Sequence, residues 1–212
     1  MQEINLLDVL FVKCGPIGWV IWALSVATLG LIIKYFVDIR RGTLIPGEVH
    51  AQIKQQFEGK QYREAIELTA NEPSFLSGVL HASLAEAAHG FSAMERAMEE
   101  AAEERATKLL RRIEWLNVIG NIAPMMGLLG TVWGMILAFF EIVKAKATPP
   151  PDVLAYPIGT ALVTTMEGLL VAIPALGVYA ILRNRIDSFS SEATMITQEL
   201  ISGFRPGAKK PQ

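Results

Sequence analysis

Residues 160–175 read TALVTTMEGLLVAIPA. They belong to an apolar segment, 156–182, yet the run holds three threonines and one carboxylate, Glu167, near its middle. A hydrocarbon core of about 30 Å is crossed by about 20 helical residues, so the segment is long enough to span a bilayer. An ionisable side chain at mid-membrane depth costs at least ~2.5 kcal/mol even on lenient insertion scales. Such a group therefore faces a bundle interior, a partner or water, and serves ion or proton movement by default. On a helical wheel Thr160, Thr164, Glu167, Gly168, Val171, Ala172 and Ala175 share one face, which seeks protein or water. Leu162, Val163, Met166, Leu169, Leu170 and Ile173 form the opposite face, which seeks lipid.

The rest of the chain agrees with a membrane class. Half of the 212 residues are hydrophobic (51%), mean hydropathy is +0.35, and charge is nearly absent from three long segments while the region between the first two is densely charged. The formal charge of −2 points to no class of partner, and no basic patch suggests nucleic acid. Cys14 is the single cysteine, so one chain can build neither a disulfide nor a cysteine metal site; it reads as small apolar filler.

The three predicted spans are 17–37, 119–143 and 156–182. The opening MQEINLLDVL lacks the positive n-region of a signal peptide, so residues 1–16 are expected as an extracytoplasmic segment and the first span as a retained helix. Lys34, Arg40 and Arg41 follow the first span, Lys108, Arg111 and Arg112 precede the second, and Arg183 and Arg185 follow the third. The positive-inside rule then puts the N-terminus outside, the loop 144–155 in the periplasm and the tail 183–212 in the cytoplasm, with Lys144 and Lys146 outnumbered. Trp19 and Trp22 fall near the outer interface and Tyr35 near the inner one.

Region 38–118 is predicted to be a helical cytoplasmic domain. Pro46-Gly47 opens a helix that Gly59 breaks, YREAIELTA continues as a short amphipathic helix stopped at Asn71-Glu72-Pro73, and a third runs over 73–88. Ser92-x-x-Glu95 has the form of a capping box ahead of a helix that runs unbroken into the second span. His50, His81 and His89 lack ligand spacing, so no metal is expected, and Glu99, Glu100, Glu103 and Glu104 read as a solvated face.

The second span carries a stripe of its own. Gly120, Ala123, Gly127, Gly130, Thr131, Gly134 and Ala138 lie within about 100° of arc, and Glu141 shares that face. Small residues so placed let helices approach closely in lipid, where packing drives association. Gly127, Gly130, Gly134 and, in the third span, Gly168 are the predicted packing positions. The hydroxyl of Thr131 has two uses open to it, a bond to its own helix carbonyl or a place on an ion path.

The segments APMMGLLGTVWGMILAFFEI (123–142) and ALVTTMEGLLVAIPA (161–175), together with three spans and a large insertion between the first two, resemble the ExbB/TolQ branch of the MotA/TolQ/ExbB proton channel family. MotA-type stators have four spans and fit less well. The resemblance implies a homopentamer in the bacterial inner membrane whose second and third helices line a pore around single-span subunits of the ExbD/TolR type. The partner's membrane aspartate would be the main protonation site, and the proton flow would drive a periplasm-spanning protein of the TonB/TolA type. By motif, Thr131 matches the family's hydroxyl on the second helix and Thr165 the one on the third. Where that branch commonly carries a glutamate, five residues before the threonine, this chain has Thr160. Glu167 stands on almost the same face about 10 Å further along. The carboxylate is relocated along the path, or hydroxyls at Thr160, Thr164 and Thr165 favour sodium, since alcohol oxygens coordinate a hard cation without titrating.

The expectation is therefore an all-α, three-span integral membrane protein acting as the pore-forming stator of a proton-driven motor. Its expected ion-path residues are Glu167, Thr131, Thr165, Thr164 and Thr160. A non-conducting oligomeric scaffold is the alternative. No enzyme is expected, because the spans hold no Ser/His, Cys/His or metal constellation, and no cofactor is implied.

Overall fold

The computed structural model describes residues 15–145 and 150–205. Cys14 and nearly all of the expected segment 1–16, Lys146 with its neighbours 147–149, and residues 206–212 of the tail lie outside the described residues. Among the described residues every regular element is helical: α1 Gly15–Asp38, α2 Arg41–Leu44, α3 Gly47–Glu58, α4 Tyr62–Asn71, α5 Phe75–Ala85, a 3-10 turn Ala87–His89, α6 Phe91–Ala145, α7 Pro151–Ile201 and a 3-10 turn Ser202–Phe204. Three of these helices, α1, α6 and α7, are long and apolar enough to cross a membrane. They contain the segments 17–37, 119–143 and 156–182. Large apolar side chains stand outward on all three, among them Leu29, Ile33, Leu128, Phe139, Leu170 and Ile173, as lipid contact requires.

The chain divides into two compact units. Of the described residues, the first comprises those up to Lys34 and those within Glu114–Ala180. Its interior is a small cluster of Ile21, Ile119, Ala123, Val171 and Ala172, with Ile17, Leu24, Leu31 and Met126 against it. Pro124, Pro157 and Pro174 lie inside α6 and α7 without ending either helix, a use of proline common in membrane helices.

The second unit comprises Tyr35–Ile113 and the described residues from Ile181 onward. Ile39, Ile45, Ile53, Leu76, Val79, Leu80, Met94 and Met98 build an ordinary apolar core. Helix α5 starts on a real cap, where the Ser77 amide donates to Ser74 Oγ at 3.2 Å, and the buried Ser83 hydroxyl ties α5 to α6 by donating to the Met94 carbonyl at 3.0 Å. The expected capping box does not form. Helix α6 starts two residues earlier, at Phe91, because Gly90 turns the chain with φ +94° and its own carbonyl accepts from the amides of Ala93 and Met94. Glu99, Glu100, Glu103 and Glu104 are all exposed.

Residues 183–201 continue α7 rather than leaving it as a tail. Leu182, Ile186, Ala193, Thr197 and Ile201 are buried in the second unit, and the spacing of about four residues is that of one helical face. The Arg41 guanidinium reaches Glu192 at 2.6 Å, and Phe204 packs its ring on Tyr62 and Phe57, with centroids 5.0 and 6.2 Å apart.

Candidate functional site

Within the first unit α6 and α7 run antiparallel along a seam of small residues. An added Cβ at Gly120 would stand 2.6 Å from Leu176 Cγ, at Gly127 2.9 Å from Thr165 Cα, and at Gly134 2.7 Å from the Pro157 carbonyl oxygen. At Gly130 it would overlap the Thr164 hydroxyl, and from the opposite side a Cβ at Gly168 would stand 2.6 Å from the Ala123 carbonyl oxygen. At Gly127, Gly134 and Gly168 backbone therefore meets backbone, which only glycine permits. The stripe read from the sequence is the seam: Gly120, Ala123, Gly127, Gly130, Gly134 and Ala138 are buried, while Thr131 and Glu141 sit half-exposed at its margin.

The hydroxyls divide into two kinds. Thr131 donates to Leu128 O at 2.7 Å, Thr160 to Tyr156 O at 3.0 Å and the buried Thr164 to Ala161 O at 2.8 Å. All three satisfy their protons on their own helix and keep their oxygen lone pairs. Thr165 is different, because its hydroxyl crosses the seam to the carbonyl of Gly127 at 3.0 Å. In the regular i to i+4 pattern that carbonyl is also the acceptor for the Thr131 amide. Thr131 and Thr165 thus meet at one peptide group rather than side chain to side chain.

Glu167 is 6% exposed. It follows Thr164 by one helical turn on the same face of α7 and lies between the seam and α1, whose Trp22 is the hydrogen-bonding neighbour of its carboxylate. That contact falls short of full hydrogen-bond geometry, and neither carboxylate oxygen has a partner by that measure. An acid so placed has lost water without a direct replacement. Toward the other end of the seam a cavity of about 430 Å³ opens between α1, α6 and α7. Thr160, Thr164, Tyr156, Gly130, Gly134 and Glu141 help to line it.

The structure thus brings Thr160 and Thr164 to one cavity, sets Glu167 a turn beyond Thr164, and puts Thr165 with Thr131 on the seam. Two residues were missed by the sequence reading. Trp22, expected in an interfacial belt, is half-buried beside Glu167, whereas Trp19 is 63% exposed; α1 is apolar all round and gave no face to choose. Glu141, paired with Lys144 at 2.7 Å, lines the cavity, and its place on the stripe was the available signal.

A model described as the MotA/TolQ/ExbB proton channel family matches residues 67–195, more than half of the chain and both motif segments. The chain belongs to the MotA/TolQ/ExbB proton channel family. Among its relatives is the biopolymer transport protein ExbB of Xanthomonas campestris pv. campestris (strain B100), 34% identical over 116 residues, covering 55% of this chain and 46% of that protein. The biopolymer transport protein exbB1 of Vibrio cholerae is 29% identical over 172 residues, covering 77% of this chain and 73% of the relative. The Tol-Pal system protein TolQ of Haemophilus influenzae is 34% identical over 97 residues, covering 46% and 42%. The chain thus matches about half the length of the Xanthomonas and Haemophilus relatives, and these relatives put it in the ExbB/TolQ branch. It is a multi-pass membrane member of a proton-channel family.

Proposed function

We propose that the chain is the pore-forming stator subunit of a proton-driven motor in the bacterial inner membrane. It works as a homo-oligomer, a pentamer by family resemblance, with an ExbD/TolR-like single-span subunit, and energises a TonB/TolA-like protein for outer-membrane transport or envelope maintenance. Its role is transport, not catalysis. The N-terminus is outside, 38–118 and the chain beyond 182 are cytoplasmic, and 144–155 is the periplasmic loop, on the distribution of lysine and arginine flanking the spans.

The observation that carries this reading is Glu167, a carboxylate buried to 6% exposure with no well-formed hydrogen bond, in an apolar helix of a proton-channel family. The cavity with Thr160 and Thr164 supplies an approach from the outer end: an ion or water there meets two hydroxyl oxygens with free lone pairs, then the carboxylate one turn on. Thr165 ties α7 to α6 beside it through the Gly127 carbonyl, and Thr131 keeps its lone pairs at the margin of the seam.

The test is proton flux through reconstituted complexes, with the complex quantified in parallel. Glu167→Gln keeps the shape and removes the titration, so flux per complex falls at least tenfold with assembly intact, and Glu167→Asp retains part of it. Wild-type flux per complex in Glu167→Gln overturns the role. The scaffold reading draws on the glycine seam alone; it expects no flux from wild type and less stable complex from Glu167→Gln. Flux that requires sodium moves the ion from a proton to sodium held by the threonine oxygens.

A further inference from the structure

One group outside the ion path is held in place without a partner. Arg105, on α6 in the second unit, lays its guanidinium on α5 at Gly78, where an added Cβ would overlap the guanidinium carbon and both terminal nitrogens. The absent side chain makes the seat. Arg105 is half-buried, and among the described residues it forms neither a hydrogen bond nor an ion pair; Glu104, next to it in sequence, acts on it only through space. A fixed, partly desolvated guanidinium without an acceptor is unfavourable until an anion reaches it.

The guanidinium opens on a cavity of about 340 Å³ whose lining includes Lys108, Arg112, Asp38, Thr43 and Phe75. Three cations face one carboxylate there. Lys108 is shared with Glu104 at 2.5 Å, whereas Arg112 is exposed and unpaired among the described residues. Asp38 is the last residue of the apolar α1 and directly follows the span 17–37, and Arg112 stands seven residues before the span 119–143, so along the chain the lining adjoins the edge of both spans. On the topology proposed above, on which this inference rests, that edge is the cytoplasmic one.

We propose that this cavity binds a phosphate group, supplied by the headgroup of an anionic phospholipid. A planar guanidinium offers paired donors that match phosphate oxygens. Arg112 and Lys108 add charge from the same helix, and Thr43 brings a hydroxyl. Basic pockets beside the cytoplasmic ends of membrane helices suit such headgroups. A soluble phosphate offers the same oxygens, and the experiment separates the two.

Full-length protein is incorporated in phosphatidylcholine nanodiscs containing a minor fraction of phosphatidylglycerol, and the lipids retained per protomer after detergent extraction are counted by mass spectrometry. Inorganic phosphate binding is measured in parallel on lipid-stripped protein. Wild type is expected to retain phosphatidylglycerol in excess of its share. Arg105→Gln should cut that enrichment about fivefold, matching ~1 kcal/mol per basic residue near an anionic surface, and Arg105→Gln with Arg112→Gln should remove it. Gly78→Ala, which changes no charge but displaces the guanidinium, should lower it as well. Saturable phosphate binding that needs Arg105, without lipid enrichment, keeps the phosphate site and overturns the lipid assignment. No enrichment and no phosphate binding in wild type, or undiminished enrichment in the double variant, overturns the site. So does loss of oligomer mass in Arg105→Gln, which would make Arg105 a subunit contact. Lipid retention needs no ion flow, so this result and the flux of Glu167 variants fail independently.

Discussion

The two units pack their helices by opposite means. Along α6 and α7 between Gly120 and Ala138 glycines take the close contacts, several of them directly against backbone, with Gly127 on Thr165 and Gly168 on Ala123, and the large side chains Leu128, Phe139, Leu170 and Ile173 point away. Around α5 the reverse holds: the large side chains Leu76, Val79 and Leu80 are buried with Met94 and Met98. Water drives large apolar side chains inward. Lipid exerts no such force, so close approach and dispersion contacts hold the seam instead. Removing a side chain should therefore damage the second unit, and adding one should damage the first.

The largest effect is expected from adding one. A leucine at Gly168 places Cβ 2.6 Å from the Ala123 carbonyl oxygen, and one at Gly134 places it 2.7 Å from that of Pro157. Backbone cannot rotate out of the way as a side chain can. Overpacking a well-packed core costs about 1–3 kcal/mol, more where backbone must move, and here the helices must separate. Gly168→Leu and Gly134→Leu are expected to abolish the assembled complex on size-exclusion chromatography with mass detection, and Gly168→Ala to lower its yield. Normal assemblies from both leucine variants would refute the seam.

Next in size is the removal of a side chain. Leu76→Ala, at a position 0% exposed, should cost about 2–5 kcal/mol as an ordinary core cavity. The comparison is sharpened by Leu170→Ala, at a position 60% exposed on α7, which should change stability little because lipid solvates either residue. Chemical denaturation in mild detergent reads both, and equal losses would dissolve the contrast between the units.

Most of the seam was legible because a helix repeats every 3.6 residues: the wheel that gathered Gly120 to Ala138, and the one that gathered Thr164, Glu167, Gly168 and Ala175, needed no tertiary information. What a wheel cannot give is the partner across the gap. Trp22 beside Glu167 and Arg105 on Gly78 join residues far apart in sequence, and neither helix alone marks them. The continuation of α7 to Ile201 was within reach, since Leu182, Ile186, Ala193 and Ile201 share a face, but the positive charge after 182 drew the boundary there. At Gly90 the local signal misled for a plain reason: Ser92-x-x-Glu95 satisfies the pattern of a cap, while a glycine two residues earlier turns the chain with less strain.

The smallest effect separates the two threonines that the motif treats as equals. Thr165 spends its hydroxyl on the opposite helix, at 3.0 Å from the Gly127 carbonyl, whereas Thr131 bonds its own helix at 2.7 Å. Hydrogen bonds between membrane helices contribute about 0.6 kcal/mol on average, so Thr165→Val should weaken the seam by roughly that amount. Thr131→Val removes no interhelical bond and should leave stability unchanged. Their effects on ion flow need not follow that order. Thr131 is half-exposed and keeps its lone pairs toward whatever passes, so its substitution should slow flux at full assembly. Thr165→Val should slow flux together with a small loss of stability. Thermal unfolding and flux measured on the same preparations distinguish the two: equal stability losses would make both residues packing contacts, and undiminished flux in Thr131→Val would take Thr131 off the path.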